Sequence, residues 1–225
     1  MRENCTSGSA QGAPGNGRSY CERRKKGAMN IDKSETFSVP RLFSFIDWAY
    51  LQEALKVVDS HFEDQLKNTE DRNKVGNLNA TRQSLYRAAF ISAYGTLEQN
   101  LDEQVRWDQN KNEIALSPND LKHRGVKRSI IYAQKVLMLE IDDDRPHWKN
   151  VEMLQELRNH MVHFGSEMDT GGAHKGLYNK LKESKFVSFT PIPSFSLEQL
   201  DMVINEFIEC IEEFSAAKKR AKRIG

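Results

Sequence analysis

One short segment of the chain combines the side chains that phosphate chemistry requires. It reads RNHMVH from Arg158 to His163. Histidine has an unperturbed pKa near neutrality, so it can accept and return a proton at pH 7. Arginine stays charged and can contact two oxygens of one phosphate group. Together they form a minimal set for phosphodiester transesterification, in which histidine moves protons and arginine stabilises the charge that develops on the phosphate.

The segment is predicted to lie near the end of a helix. Pro146 suits the first turn of that helix, and Gly165 suits the position just after its last turn. Between them, apolar residues repeat at spacings of three and four, the period of an amphipathic helix: Val151, Leu154, Leu157 and Met161.

The polar residues of the segment share the other side of this helix. At about 100° per residue, Gln155, Asn159 and His163 fall about 60°, 100° and 140° from Arg158. Asn159 and His163 are four residues apart and can touch. His163 also lies in the predicted last turn, where the helix dipole favours a protonated imidazole. We therefore take Arg158 and His163 as candidate catalytic residues, Asn159 as the residue that orients substrate or His163, and Gln155 as a supporting residue.

Further amphipathic repeats predict the helices that must position this segment. Three of them precede it, at about 41–68, 79–110 and 122–140, and Ser196 with Gln199 forms a capping-box signal for another after it. The stretch 165–195 is rich in glycine and proline, with one short extended segment at 185–190. The prediction is an all-α, antiparallel, up-and-down bundle of about five helices with a long loop before the last helix.

The net charge of +1 hides an uneven distribution. Residues 1–28 are Gly-rich and basic and are predicted to be a disordered tail, and 218–225 is predicted to be a second basic tail. The helical domain between them, 29–217, has 22 basic and 30 acidic residues. Because this domain is acidic, any contact with nucleic acid must depend on a local patch or on the tails.

Several classes of protein are not indicated. Apolar runs fall short of the roughly 20 residues of a membrane helix, and the start of the chain lacks a secretory apolar region. The three cysteines form no CxxC pair, which favours a reduced, cytoplasmic protein. Phosphate-binding glycine motifs are missing, so no cofactor is expected. His160 and His163 are three residues apart but have no third ligand at a telling distance, so no metal site is expected.

The arrangement Arg158-Asn159 followed by His163 resembles the R-x(4–6)-H motif of the HEPN superfamily, here with four intervening residues. The long helix before it carries AYGTLEQN from Ala93 to Asn100. That stretch resembles the second helix of the family, in which small residues precede an acidic residue. The likeness covers roughly 41–215.

The resemblance implies a homodimer in which two motifs face one cleft and cut RNA without a metal. It makes Glu98 a candidate partner of Arg158. Many members of the superfamily are toxins or act in abortive infection against phage, so an antitoxin or another defence-system protein is an expected partner. Other members have lost activity and bind a partner protein or a nucleotide.

Alternatives stay open at this point. The pair of Arg158 and Glu98 could serve only to hold two helices together, and His160 could be a helper or a surface residue. A solvent-open, positive cleft at Arg158 and His163 would favour an enzyme. A buried Arg158–Glu98 pair with His163 occluded would favour a non-catalytic interaction module, and a plain helical adaptor is a third reading.

Overall fold

Six α-helices and one hairpin make up the part of the chain that the computed structural model describes. That part comprises residues 39–165, 167, 168, 172, 175–190 and 192–224. The elements are α1 (Val39–Lys67), α2 (Arg72–Lys111), a 3-10 turn (Pro118–Asp120), α3 (Gly125–Lys135), α4 (Pro146–Phe164), α5 (Lys175–Glu183), β1 (Ser188–Thr190), β2 (Ile192–Ser194) and α6 (Leu197–Ile224). The predicted all-α bundle is confirmed, with one helix more than expected.

The signals for both ends of α4 and for the start of α6 are confirmed. Pro146 occupies the first turn of α4, and Gly165 follows its last turn with a φ of +84°. At the start of α6, the Ser196 amide donates to Gln199 Oε1 at 2.9 Å, and the Gln199 amide donates to Ser196 Oγ at 3.1 Å. These reciprocal bonds satisfy amide groups that a helix start leaves without a partner.

The bounds of α2 and α3 differ from the prediction. Asp71 caps α2 by accepting a hydrogen bond from the Asn73 amide at 2.9 Å, so this helix begins earlier than its apolar repeat indicates. In contrast, α3 ends at Lys135 rather than near 140. Met138, just beyond it, has a φ of +53°, which is incompatible with a continuing helix. The apolar repeat extended further because Leu137, which lies beyond the last residue of the helix, still packs against the core.

The loop expected before α6 contains a short helix. In α5, Leu177 and Leu181 are four residues apart and both are buried. Two apolar residues among lysines are too few to give a readable period. Of the extended segment predicted at 185–190, only β1 is a strand, and it pairs antiparallel with β2. Pro191 lies outside the described residues.

Of the two predicted tails, the structure describes most of 218–225 and none of 1–28. The helix α6 continues through Ile224, so most of 218–225 is helical. Residues 1–28 lie outside the described part of the chain. None of the helices in the described ranges is long and apolar enough to cross a membrane.

The helix α2 is central to the core because it packs against α1, α3, α4 and α6. Its buried residues run from Tyr86 to Val105. The Trp48 indole of α1 donates to the Ala93 carbonyl at 3.2 Å. The ring of Phe207 in α6 lies 6.0 Å from that of Trp48 and 5.6 Å from that of Tyr94. Aromatic packing therefore fixes three helices around the centre of α2.

A buried carboxylate ties the start of α4 to α6. The side chain of Glu213 is 6% exposed, and it accepts a hydrogen bond from Trp148 Nε1 at 2.8 Å. The imidazole of His147 contacts the same oxygen, and Arg145 Nη1 lies 3.4 Å from the other. Burial of a carboxylate is tolerated only when donors surround it, so this cluster sets the direction of α4.

We expect Glu213→Ala to lower the free energy of unfolding by roughly 2–3 kcal/mol, because it leaves donors of α4 buried without an acceptor. Chemical denaturation of the full chain measures this. Asp144→Ala is the control, since it breaks an exposed ion pair with Lys149 and should leave the midpoint unchanged. Equal stability of Glu213→Ala and wild type would show that the carboxylate does not hold α4.

Candidate functional site

Arg158 lies where α4 meets α2. Its Nη2 atom is 3.5 Å from Glu98 Oε2, and its Nη1 atom donates to Asn159 Oδ1 at 3.0 Å. The two charged side chains are 28% and 26% exposed. The partners expected from the resemblance are thus in contact, at a pair that is neither fully buried nor fully open.

The start of α3 completes this junction. A Cβ atom at Gly125 would lie 2.5 Å from Glu98 Oε1 and 3.0 Å from Gln155 Nε2. Gly125 also has a φ of +60°, a conformation that side chains rarely adopt. The backbone conformation therefore favours glycine, and any side chain here would also displace the carboxylate of Glu98. The Gln155 side chain joins the group because it lies beside the same backbone position at the start of α3.

Tyr94 borders the same group from inside the core. Burial raises the pKa of its hydroxyl far above the ordinary value, the nearby Glu98 charge raises it further, and the Arg158 charge lowers it. Within the described part of the chain, the hydroxyl has no hydrogen-bond partner. Tyr94 is therefore neutral at physiological pH and cannot act as a base there.

A cleft of about 380 Å³ separates the end of α4 from α5. Lys180 of α5 forms a salt bridge with Glu156 of α4 at 2.9 Å, which joins the two walls. The lining residues come from these two helices: Glu156, Asn159, His160, His163 and Phe164 from α4, and Gly176, Leu177 and Lys180 from α5.

His163 is the open histidine of this cleft. It is exposed in the last turn of α4, and it forms no hydrogen bond or salt bridge with any residue that the structure describes. Among the aromatic residues that the structure describes, its ring contacts that of Phe164, with centroids 6.5 Å apart. The imidazole is therefore accessible to a molecule bound in the cleft.

His160 occupies a different environment. It is 4% exposed, and its ring stacks on Phe164 at 5.6 Å. Its Nε2 atom lies 2.9 Å from the Glu167 carbonyl, so that nitrogen carries the proton and donates it. This bond fastens the chain that leaves α4, which makes His160 a residue that shapes the cleft.

The structure divides the predicted residues into two adjoining groups. Arg158, Gln155 and Glu98 meet where α2, α3 and α4 converge. His160 and His163 face the cleft beside α5. Asn159 belongs to both groups, since it accepts the bond from Arg158 and lines the cleft. Arg158 itself is not among the lining residues.

Two residues of the site, Lys180 and Gly125, were not predicted from the sequence. Lys180 lies in the short helix α5, whose two buried leucines are too few to predict a helix from the sequence. For Gly125, the sequence offers a basic run directly before it, Lys122-His123-Arg124, which is exposed in the structure. In the described residues, no three His, Cys, Asp or Glu side chains lie where they could hold a metal ion.

Comparison with known proteins adds no family to this geometry. The chain matches no protein-family model, and no similar curated protein or solved structure was found. The HEPN resemblance therefore depends on the residues of α2 and α4 alone.

We expect Gly125→Ala to lower the free energy of unfolding by about 1–2 kcal/mol, the cost of a left-handed backbone in a residue with a side chain. The added methyl group would also displace the Glu98 carboxylate from its position beside Arg158. Thermal and chemical unfolding measure the first effect.

Gly76→Ala in α2 is the matched control. It meets nothing within 4 Å and should stabilise the helix by about 0.5–1 kcal/mol. Two alanine variants with equal effects would contradict the role assigned to Gly125.

Proposed function

We propose that this chain is a metal-independent endoribonuclease of the HEPN type, which acts as a homodimer in a toxin or antiphage role. One observation carries the proposal: an exposed, unengaged histidine opens into a cleft beside an asparagine that contacts an arginine. His163 supplies the proton-exchanging group, Asn159 the connection, and Arg158 the permanent charge. The toxin or defence role has no support in the geometry and follows only from the resemblance.

The proposed reaction is transesterification by the RNA itself. The 2′-oxygen attacks the adjacent phosphorus, and the bond from phosphorus to the 5′-oxygen of the next nucleotide breaks. His163 takes the proton of the 2′-OH or gives one to the leaving 5′-oxygen, and the second histidine of a dimer can perform the complementary transfer. The products are a 2′,3′-cyclic phosphate and a 5′-hydroxyl. No metal or cofactor takes part in these steps.

Arg158 has the donors that this reaction needs. Its guanidinium has five N–H groups, and the contacts with Glu98 and Asn159 use only some of them. The 3.5 Å separation from Glu98 is long for a charged hydrogen bond, so a phosphate can compete for the same edge. Glu98 is then a positioning residue that holds the guanidinium of Arg158 beside α2.

Apolar residues beside His163 support the homodimer. Val162 is 49% exposed and Phe164 is 67% exposed, and both flank His163 in the last turn of α4. Pairing of this turn with its copy would cover them and bring two motifs to one cleft.

We expect purified wild-type protein to cleave single-stranded RNA, and His163→Ala to be slower by about 10²–10⁴-fold, the usual contribution of general acid–base catalysis. Arg158→Ala should show a comparable loss because the phosphate charge is no longer stabilised. Gel analysis of a labelled RNA measures the rate, and end-group analysis should find the 2′,3′-cyclic phosphate.

His61→Ala is the control, since His61 is exposed on α1 away from the cleft and should not matter. An RNA with 2′-deoxy residues at the cleavage sites should resist the wild type. Undiminished cleavage by a folded His163→Ala dimer would contradict the mechanism. On induced expression, growth arrest is expected for wild type and not for either site variant.

We expect Phe164→Asp to shift the protein from dimer to monomer, because a charge at the centre of the proposed interface must be desolvated without a partner. Sedimentation velocity measures the change. Met138→Asp is the matched control, as Met138 is 76% exposed just beyond the end of α3. A wild-type protein that is monomeric at all concentrations would contradict the paired cleft.

A non-catalytic interaction module is the second candidate. The partly buried contact between Arg158 and Glu98, and the absence of Arg158 from the cleft lining, favour it. In that case the cleft and Phe164 would bind a partner protein, such as an antitoxin or defence protein, or a nucleotide. Intact RNA with wild-type protein under all conditions would favour this function over the nuclease.

A further inference from the structure

Three consecutive basic residues are exposed just before α3. They are Lys122, His123 and Arg124, and none forms a salt bridge or side-chain hydrogen bond with a residue that the structure describes. Arg124 is the N-cap residue of α3, and its side chain does not cap the helix. A surface cation without a partner carries a hydration shell that a phosphate can replace.

This basic segment adjoins the candidate site. Gly125 follows Arg124 directly, and the position of its absent Cβ is 2.5 Å from Glu98 Oε1. The other oxygen of that carboxylate is 3.5 Å from Arg158 Nη2. One carboxyl group therefore separates the backbone of the basic segment from the guanidinium of Arg158.

The acidic side chains beside the segment are already engaged. Glu98 contacts Arg158, and Glu152 of α4 forms a salt bridge with Lys127 at 3.3 Å. Asp120 accepts a hydrogen bond from the Ser117 amide at 2.8 Å in its capping box. The positive charge of Lys122 and Arg124 is therefore not cancelled by a local ion pair, although the domain as a whole is acidic.

We propose that Lys122 and Arg124 bind backbone phosphates of the RNA strand next to the phosphate held by Arg158. This inference rests on the proposed function and deepens it, since it assigns the surface along which single-stranded RNA reaches the site. Lysine and arginine at the edge of a site give binding that depends on phosphates and not on base identity. The positive end of the α3 dipole adds to their field.

The test is the salt dependence of RNA binding by the full chain. The probe is a single-stranded RNA whose 2′-O-methyl groups prevent cleavage, and fluorescence anisotropy gives its Kd over a series of salt concentrations. We expect the double variant Lys122→Gln/Arg124→Gln to reduce the slope of log K against log salt by about 1.4, or roughly 0.7 for each lost phosphate contact on a single strand. Affinity near physiological salt should fall about tenfold for the same reason.

Arg72→Gln/Lys74→Gln is the matched control. It removes one arginine and one lysine, both exposed at the start of α2, so the net charge changes by the same amount. An unchanged slope in the control with a reduced slope in the test variant supports the inference. Equal slopes in the two double variants would overturn it and leave the nuclease proposal in place.

Two further outcomes separate the inference from the proposed function. Failure of the wild type to bind the RNA even at low salt would overturn both. Binding with the expected difference in slope, but without cleavage of unmodified RNA, would support the phosphate-binding surface and overturn the ribonuclease assignment.

Discussion

The carboxylate of Glu98 is the point on which the candidate site depends. It extends from α2, contacts Arg158 on α4, and lies against Gly125 at the start of α3. The carboxylate can lie this close to the backbone of α3 because Gly125, at the start of that helix, has no side chain. About a quarter of each charged side chain remains exposed, so the pair avoids most of the desolvation cost of a buried ion pair.

Helix α4 is fastened at one end and open at the other. Its first turn is tied to α6 by the buried Glu213, which contacts Trp148 and His147. Its last turn carries the exposed His163. The rigid end determines where the open end lies, so the backbone of His163 is positioned without help from its own side chain. The side chain can then keep its freedom to meet a bound molecule.

The helices that carry long apolar repeats could be predicted from the sequence, and so could the ends of α4, because Pro146 and Gly165 have positional meaning. The separation of Arg158 from His163 could not. Both lie in one polar arc of the helical wheel, but tertiary packing directs Arg158 towards α2 and leaves His163 beside α5. Lys180 could not be placed because nine residues with two leucines do not give a helical period.

The length of α2 determines where local unfolding of the bundle is expected to begin. A helix of 40 residues extends about 60 Å, yet none of its residues from Arg72 to Leu85 is buried. The polar contacts of this stretch with the rest of the bundle lie near its end: Arg82 pairs with Asp59 and Glu63 of α1, and Gln83 exchanges two hydrogen bonds with the backbone of Phe195. Local unfolding should therefore start there, and amide hydrogens in this stretch should exchange with solvent long before those around Leu97 and Leu101. The start of α2 can therefore separate from α1 while the contact between Glu98 and Arg158 stays intact.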